Sequence, residues 1–163
     1  MALWGSGVRF PSAPLTRCLF FCGVCMKTGD KGDIAESLAI SEFVKRGFKV
    51  AIPFGDYRYD LIVEAKCGEF KRVQVKYIGR ATARSTINIV LHSITRKGRV
   101  RYSSHEVDYI VAYYEPEKSF YIIPYQDVGS KSAVNLRLCA SRNNQQTGII
   151  PASRYRERWD LIV

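Results

Sequence analysis

The chain has no apolar run approaching the roughly 20 residues that a membrane-crossing helix needs, so nothing points to a bilayer-spanning protein. Internal repeats and low-complexity linkers are also absent, and 163 residues suit one domain with a proper core. Acidic residues are the scarcer charge: 15 Asp and Glu stand against 25 Lys and Arg, a formal net charge of +10. Such an excess suits a polyanionic partner, because clustered cations gain by displacing counterions from phosphates. The hydrophobic share of 47% is that of a globular chain, which excludes wholesale disorder.

The first 25 residues contain no acidic side chain at all, yet hold three of the five cysteines. Arg17 interrupts this stretch upstream of its apolar part, and no convincing small-residue cleavage site follows, so a signal peptide is a poor fit. Val8-Arg9-Phe10 can be encoded GTT CGA TTC, which resembles the T-loop of a transfer RNA gene, with Gly7 and Pro11 codons able to pair as its stem. Residues 1–25 are therefore expected to be a non-domain leader translated from tRNA-like sequence, and residues 26–163 the domain; a genuine flexible leader is the alternative. Cys22-Gly-Val-Cys25 has the CxxC form, but no second cysteine or histidine pair stands at zinc-ligand spacing. Without the leader only Cys67 and Cys139 remain, far apart in sequence, which fits a reducing cytoplasm. Losing Arg9 and Arg17 lowers the charge only to +8, and the polyanion argument survives.

Periodicity predicts a helix over residues 33–46, with Asp30 or Asp33 at its start and Gly47 supplying the left-handed residue that ends it. Strands are expected at 48–52, 60–64 and 70–77, the last two joined as a hairpin around Gly68. Another strand is expected at 88–93, followed by a basic loop or ribbon, then a hairpin of 109–114 and 119–123. An edge strand over 132–138 and a short helix near 152–159 complete the pattern. One helix ahead of antiparallel hairpins indicates a single α/β domain with a mixed sheet.

Four polar side chains depart from the core pattern. Glu36 falls on the helical stripe of Ala39, Ile40, Phe43 and Gly47, where a lone carboxylate is costly unless paired, protonated or metal-bound. It could equally sit at the margin or pair with an arginine. Strand parity turns Val73 and Val75 one way and Arg72, Gln74 and Lys76 the other. Asp60 comes near Gln74 and Lys76 if its strand pairs with theirs; the bland reading is one solvated face carrying ordinary surface polars. Together Glu36, Asp60, Gln74 and Lys76 supply what metal-assisted phosphodiester hydrolysis requires: hard oxygen ligands for Mg²⁺ and a lysine to orient water and offset developing charge.

Asp60, then Gln74-Val75-Lys76, with Glu36 upstream, resembles the PD-(D/E)XK nuclease superfamily. "GDIAE", "KRGFKVAIPFGDYRYDLIVE", "FKRVQVKYIGR" and "RNNQQTGIIPASRY" extend the likeness over roughly residues 28–155, to the PD-(D/E)XK endonuclease family that includes group I intron homing endonucleases. Archaeal Holliday-junction resolvases are similar more distantly. The resemblance implies a restriction-endonuclease-like fold, with a mixed β-sheet flanked by helices. It makes Asp60 the metal-binding aspartate, Lys76 the catalytic lysine and Glu36 the helix carboxylate. Gln74 departs from the general Asp or Glu, although glutamine there is similar to the homing-endonuclease branch. The proline usually written before the aspartate is absent, Arg58 replacing it. Double-stranded DNA is the implied substrate, Mg²⁺ the implied cofactor, and a homo-oligomer, dimer or tetramer, the implied assembly.

For DNA contact the candidates are Arg96, Lys97, Arg99 and Arg101 on a two-stranded ribbon suited to the major groove. The same run is also compatible with a merely solvated hairpin. Arg80, Arg84, Lys131, Arg142, Arg154 and Arg156 could add backbone contacts, while Asn143, Asn144 and Gln145 are candidates for base edges. The tyrosine-rich segment from Tyr109 to Tyr125 is better explained by core and subunit packing than by base stacking. Three functions compete: a homing-type duplex endonuclease, a structure-specific nuclease of junctions or repair intermediates, and a catalytically decayed DNA-binding protein made conceivable by Gln74. A structural protein with incidental basic charge would show no salt-dependent DNA binding.

Overall fold

The computed structural model describes residues 27–82, 85–95, 98–129, 131–140 and 149–163. The expected leader lies outside them. Helix α1 spans Thr28–Lys45, starting a turn earlier than expected. Asp30 works at its start by accepting the Lys27 backbone N–H at 3.0 Å, which satisfies a donor that the helix leaves open. At the other end Gly47 has φ +82°, and the Phe48 N–H reaches back to the Phe43 carbonyl at 3.1 Å. This left-handed glycine closes the helix as the sequence indicated.

Among the described residues ten strands follow: β1 Lys49–Ala51, β2 Leu61–Glu64, β3 Phe70–Ile78, β4 Thr86–Val90, β5 His92–Thr95, β6 Gly98–Arg101, β7 Tyr109–Tyr114, β8 Ser119–Pro124, β9 Ala133–Arg137 and β10 Ile150–Pro151, with the one-turn helix α2 at Tyr125–Val128. The main sheet has the order β1-β2-β3-β7-β8 and is mixed, because β3 and β7 run parallel while the other neighbours are antiparallel. Gly68, at φ +86°, makes the turn between β2 and β3. A second sheet has the order β10-β9-β4, and β5 pairs with β6 as a separate ribbon.

Two core layers sandwich the main sheet. On one face α1 places Ala35, Ala39 and Phe43 against Val73, Val75, Tyr109, Val111 and Trp159. Phe43 is fully buried, its ring 5.1 Å from Trp159 and 5.7 Å from Phe48 in edge-on contacts. On the other face Ile110, Ala112, Tyr121 and Ile123 pack against Ile87, Ile89, Val134 and Leu136 of the second sheet. The tyrosine-rich segment is consumed here: Tyr109, Tyr113, Tyr114, Phe120, Tyr121 and Tyr125 are all buried.

Two expectations need correction. The strand at 132–138 is not an edge: β9 lies between β4 and β10. No short helix forms over 152–159 either; single 3-10 turns at Ala152–Arg154 and Trp159–Leu161 flank Glu157, whose φ of +53° interrupts any helix. That break lets Tyr155 and Trp159 bury in different core layers. The strand expected at 88–93 divides at Leu91: its N–H bonds to Ser132 and its carbonyl to Tyr102, so the chain leaves the second sheet and enters the ribbon.

Candidate active site

The β2–β3 hairpin decides where Asp60 stands. Leu61 pairs with Val73, and the Asp60 N–H donates to the Val73 carbonyl at 2.9 Å, so the aspartate precedes β2 beside the middle of β3. There its Oδ2 accepts the Val75 backbone N–H at 2.7 Å and the side-chain amide of Gln74. Gln74 is only 8% exposed, and its Nε2 also donates to the Val75 carbonyl at 3.2 Å. Both amide protons being engaged, Oε1 is the acceptor that remains to this side chain.

Asp60, Gln74 and Lys76 line one cleft of about 670 Å³, together with Asp56, Tyr57, Arg58, Ser93, Ile94, Thr95 and Tyr102. Glu36 is not part of that lining, but its half-buried carboxylate feels the charges of Asp60 and Lys76. Burial pushes the Asp60 carboxyl above its ordinary range, against the lowering effects of the Val75 N–H, Lys76 and Gln74. Glu36 is raised by burial and then by the negative charges of Asp60 and Asp33, with Lys76 opposing. No ion pair of Glu36 is present among the described residues.

Two desolvated carboxylates, Glu36 raised further by the charge of Asp60, together with a neutral amide oxygen form a donor set that fits a small hard divalent cation. No three His, Cys, Asp or Glu side chains converge as a metal cluster among the described residues. The donors on offer are two acids plus Gln74, which also suits a cation that keeps several waters.

Lys76 donates to the Tyr102 hydroxyl at 2.8 Å and lies 5.2 Å from the centre of that ring. Arg58 lies over the same ring at 4.8 Å. Its guanidinium donates to Ser93 Oγ and to the Val100 and Arg101 carbonyls, the latter two at 3.1 and 2.7 Å. Its Nε stands 3.3 Å from Glu106 Oε1, an ion-pair distance without hydrogen-bond alignment. Sequence reasoning missed this role of Arg58 and all of Tyr102. The only sequence signal was an arginine beside the motif aspartate.

Arg72, which shares the parity of Gln74 and Lys76, is committed elsewhere: it pairs bidentately with Asp108, at 2.9 and 2.8 Å, and tethers the segment before β7. Arg80 is exposed beyond β3. Arg99 and Arg101 are exposed on β6, two residues apart and thus on one face of the ribbon, as alternation indicated. Arg154 and Arg156 pair with Asp127 and Glu117. The candidates Arg84, Arg96, Lys97, Arg142, Asn143 and Asn144 lie outside the described residues.

Comparison with known proteins bears on this arrangement. A family model described as PD-(D/E)XK endonuclease matches residues 26–158. The chain belongs to that family. A solved structure of the bacterial homing endonuclease I-Ssp6803I is similar to this member, at 30% identity and a TM-score of 0.68, over 84% of this chain and 93% of the other. No curated protein matches the chain. A PD-(D/E)XK endonuclease acts on DNA and typically uses a divalent metal. The mixed sheet with few helices agrees with the restriction-endonuclease-like architecture. No helix among the described residues is long and apolar enough to cross a membrane.

Proposed function

We propose that this PD-(D/E)XK endonuclease is a Mg²⁺-dependent, site-specific enzyme of homing type that cleaves duplex DNA. The observation that carries this reading is the meeting of Asp60, Gln74 and Lys76 in one cleft, with the Asp60 carboxylate fixed by the Val75 N–H and the Gln74 amide. Asp60, Glu36 and the Gln74 amide oxygen would hold the cation. When bound, it supplies Lewis acidity and a more acidic water. Lys76 sets its ammonium against the charge developing on the phosphate and orients the attacking water. The exposed Arg80, Arg99 and Arg101 would meet the DNA backbone and groove, together with the candidates outside the described residues. Cutting both strands of a duplex calls for two such sites, hence a homo-oligomer; the free cysteines Cys67 and Cys139 are consistent with a cytoplasmic setting.

Incubation with supercoiled plasmid, linear duplex and a four-way junction, each in Mg²⁺ and in EDTA, tests the proposal. The expected result is Mg²⁺-dependent cutting of duplex at discrete positions. Preference for the junction with no discrete duplex site would favour the structure-specific reading. Salt-dependent binding without cleavage in Mg²⁺ or Mn²⁺ would favour a binding protein that has lost catalysis.

A further inference from the structure

The ribbon β5–β6 pairs only with itself among the described strands, so side chains and single backbone bonds must hold it against the main body. Arg58 is the central fastening. It rises from the loop that carries Asp60, reaches Ser93 on β5, and caps two carbonyls at the end of β6. The next residue along the chain after β6 is Tyr102, whose ring lies under Arg58 and against Lys76, and whose hydroxyl receives the Lys76 proton donor. Tyr102 is itself fixed at both backbone ends: its N–H donates to Leu91 at 3.2 Å, and its carbonyl accepts the Tyr125 hydroxyl. It is 5% exposed. Two cations approach one buried ring, Arg58 over it and Lys76 at its hydroxyl end. Both line the cleft, and Arg58 also fastens the ribbon.

The structure assigns to Arg58 and Tyr102 a positioning role that couples seating of the ribbon on DNA to alignment of Lys76. A displacement of β6 acts directly on the Val100 and Arg101 carbonyls held by Arg58 and on Tyr102 at the strand's end. Tyr102 transmits it to Lys76 through its hydroxyl, while Arg58 transmits it to the loop of Asp60. Contact with DNA and readiness to cleave are then read through one ring. This inference rests on the nuclease reading of the cleft, and it adds to the cleft lining a residue pair that acts through Lys76 and the Asp60 loop.

The test compares wild type with Tyr102→Phe, which keeps the ring and deletes the hydroxyl, with Arg58→Met, and with the double variant. Three readouts are taken: anisotropy binding to a fluorescent duplex without metal, single-turnover cleavage of supercoiled plasmid, and the ε-methylene signals of ¹³C-labelled lysine, Lys76 being assigned with Lys76→Arg. Tyr102→Phe is expected to bind within about twofold of wild type while cleaving roughly tenfold to a hundredfold more slowly. Arg58→Met is expected to lose both binding and rate, and the double variant to be less impaired than the product of the singles, as residues in one network are. The ring-shifted Lys76 signal should move in both single variants. Wild-type cleavage by Tyr102→Phe, or rate effects that multiply independently, would overturn the coupling. If wild type itself does not cleave in Mg²⁺ or Mn²⁺, the nuclease reading fails, and the lysine spectrum still decides the positioning claim: an unmoved Lys76 signal in both variants refutes it.

Discussion

On one face of β3, Val73 and Val75 meet α1 in a layer closed to water; on the other, Gln74 and Lys76 open onto a cleft. Both faces come from the same period of two. The apolar face is held by many interchangeable dispersion contacts, whereas the polar face depends on a few hydrogen bonds, each with a specific partner. Stability and chemistry are therefore separable by mutation. A change on the first face should weaken the fold and spare the cleft, and a change on the second should do the reverse.

Phe43→Ala breaks the comparison most strongly. Removing a fully buried ring from between Phe48 and Trp159 is expected to cost about 3–5 kcal/mol. Urea titration should show the midpoint falling with little change in slope, and cleavage per folded molecule should be retained. A midpoint within error of wild type would mean that the α1 layer does not carry the stability assigned to it.

A smaller effect is expected at Asp108, the partner of Arg72 on β3. Burial alone would raise its carboxyl, but hydrogen bonds from the Arg72 side chain and backbone outweigh it and hold the group below its ordinary value. With the folded pKa depressed, the stabilisation is complete above the unfolded value of 3.8 and is lost as pH falls through the folded one. Asp108→Asn should cost about 2 kcal/mol at neutral pH, and its deficit should shrink on acidification below the unfolded value. Equal deficits at neutral pH and at strongly acid pH would contradict the assignment.

Asp60 should give the smallest stability change, and of opposite sign. Its folded carboxyl lies above the unfolded value of 3.8, so the ionised group favours the unfolded chain at pH above the folded pKa, and this cost vanishes as pH falls through that pKa towards the unfolded value. Asp60→Asn is expected to melt slightly above wild type at neutral pH in EDTA, with the gap closing in acid. A lower melting temperature at neutral pH would show that the carboxylate supports the fold and is not borne for function.

The difference between the faces also explains what could be read from sequence. Helix phase, the Gly47 stop, the Gly68 turn and the parity of Gln74 and Lys76 are local signals, and the β2–β3 pairing on which the place of Asp60 depended is present. The division of one strand at Leu91, the central place of β9 and the loss of the last helix depend on partners distant in sequence: Ser132 and Tyr102 for Leu91, and Tyr121 for Arg156. The Arg58–Tyr102–Lys76 stack joins three segments, and neither periodicity nor spacing registers such a meeting. Glu36 is intermediate: helix phase puts it on the apolar stripe, and the charge of Asp60 that raises its carboxyl appears only in the folded chain.

The central claim is that the polar face of β3 cleaves DNA, and single-turnover cleavage of supercoiled plasmid by wild type, Asp60→Asn and Lys76→Ala in Mg²⁺ tests it most directly. Each variant is expected to lose at least about a thousandfold in rate, roughly 4 kcal/mol of transition-state stabilisation, while binding duplex within several-fold of wild type in EDTA. Cleavage by either variant at the wild-type rate would contradict the account.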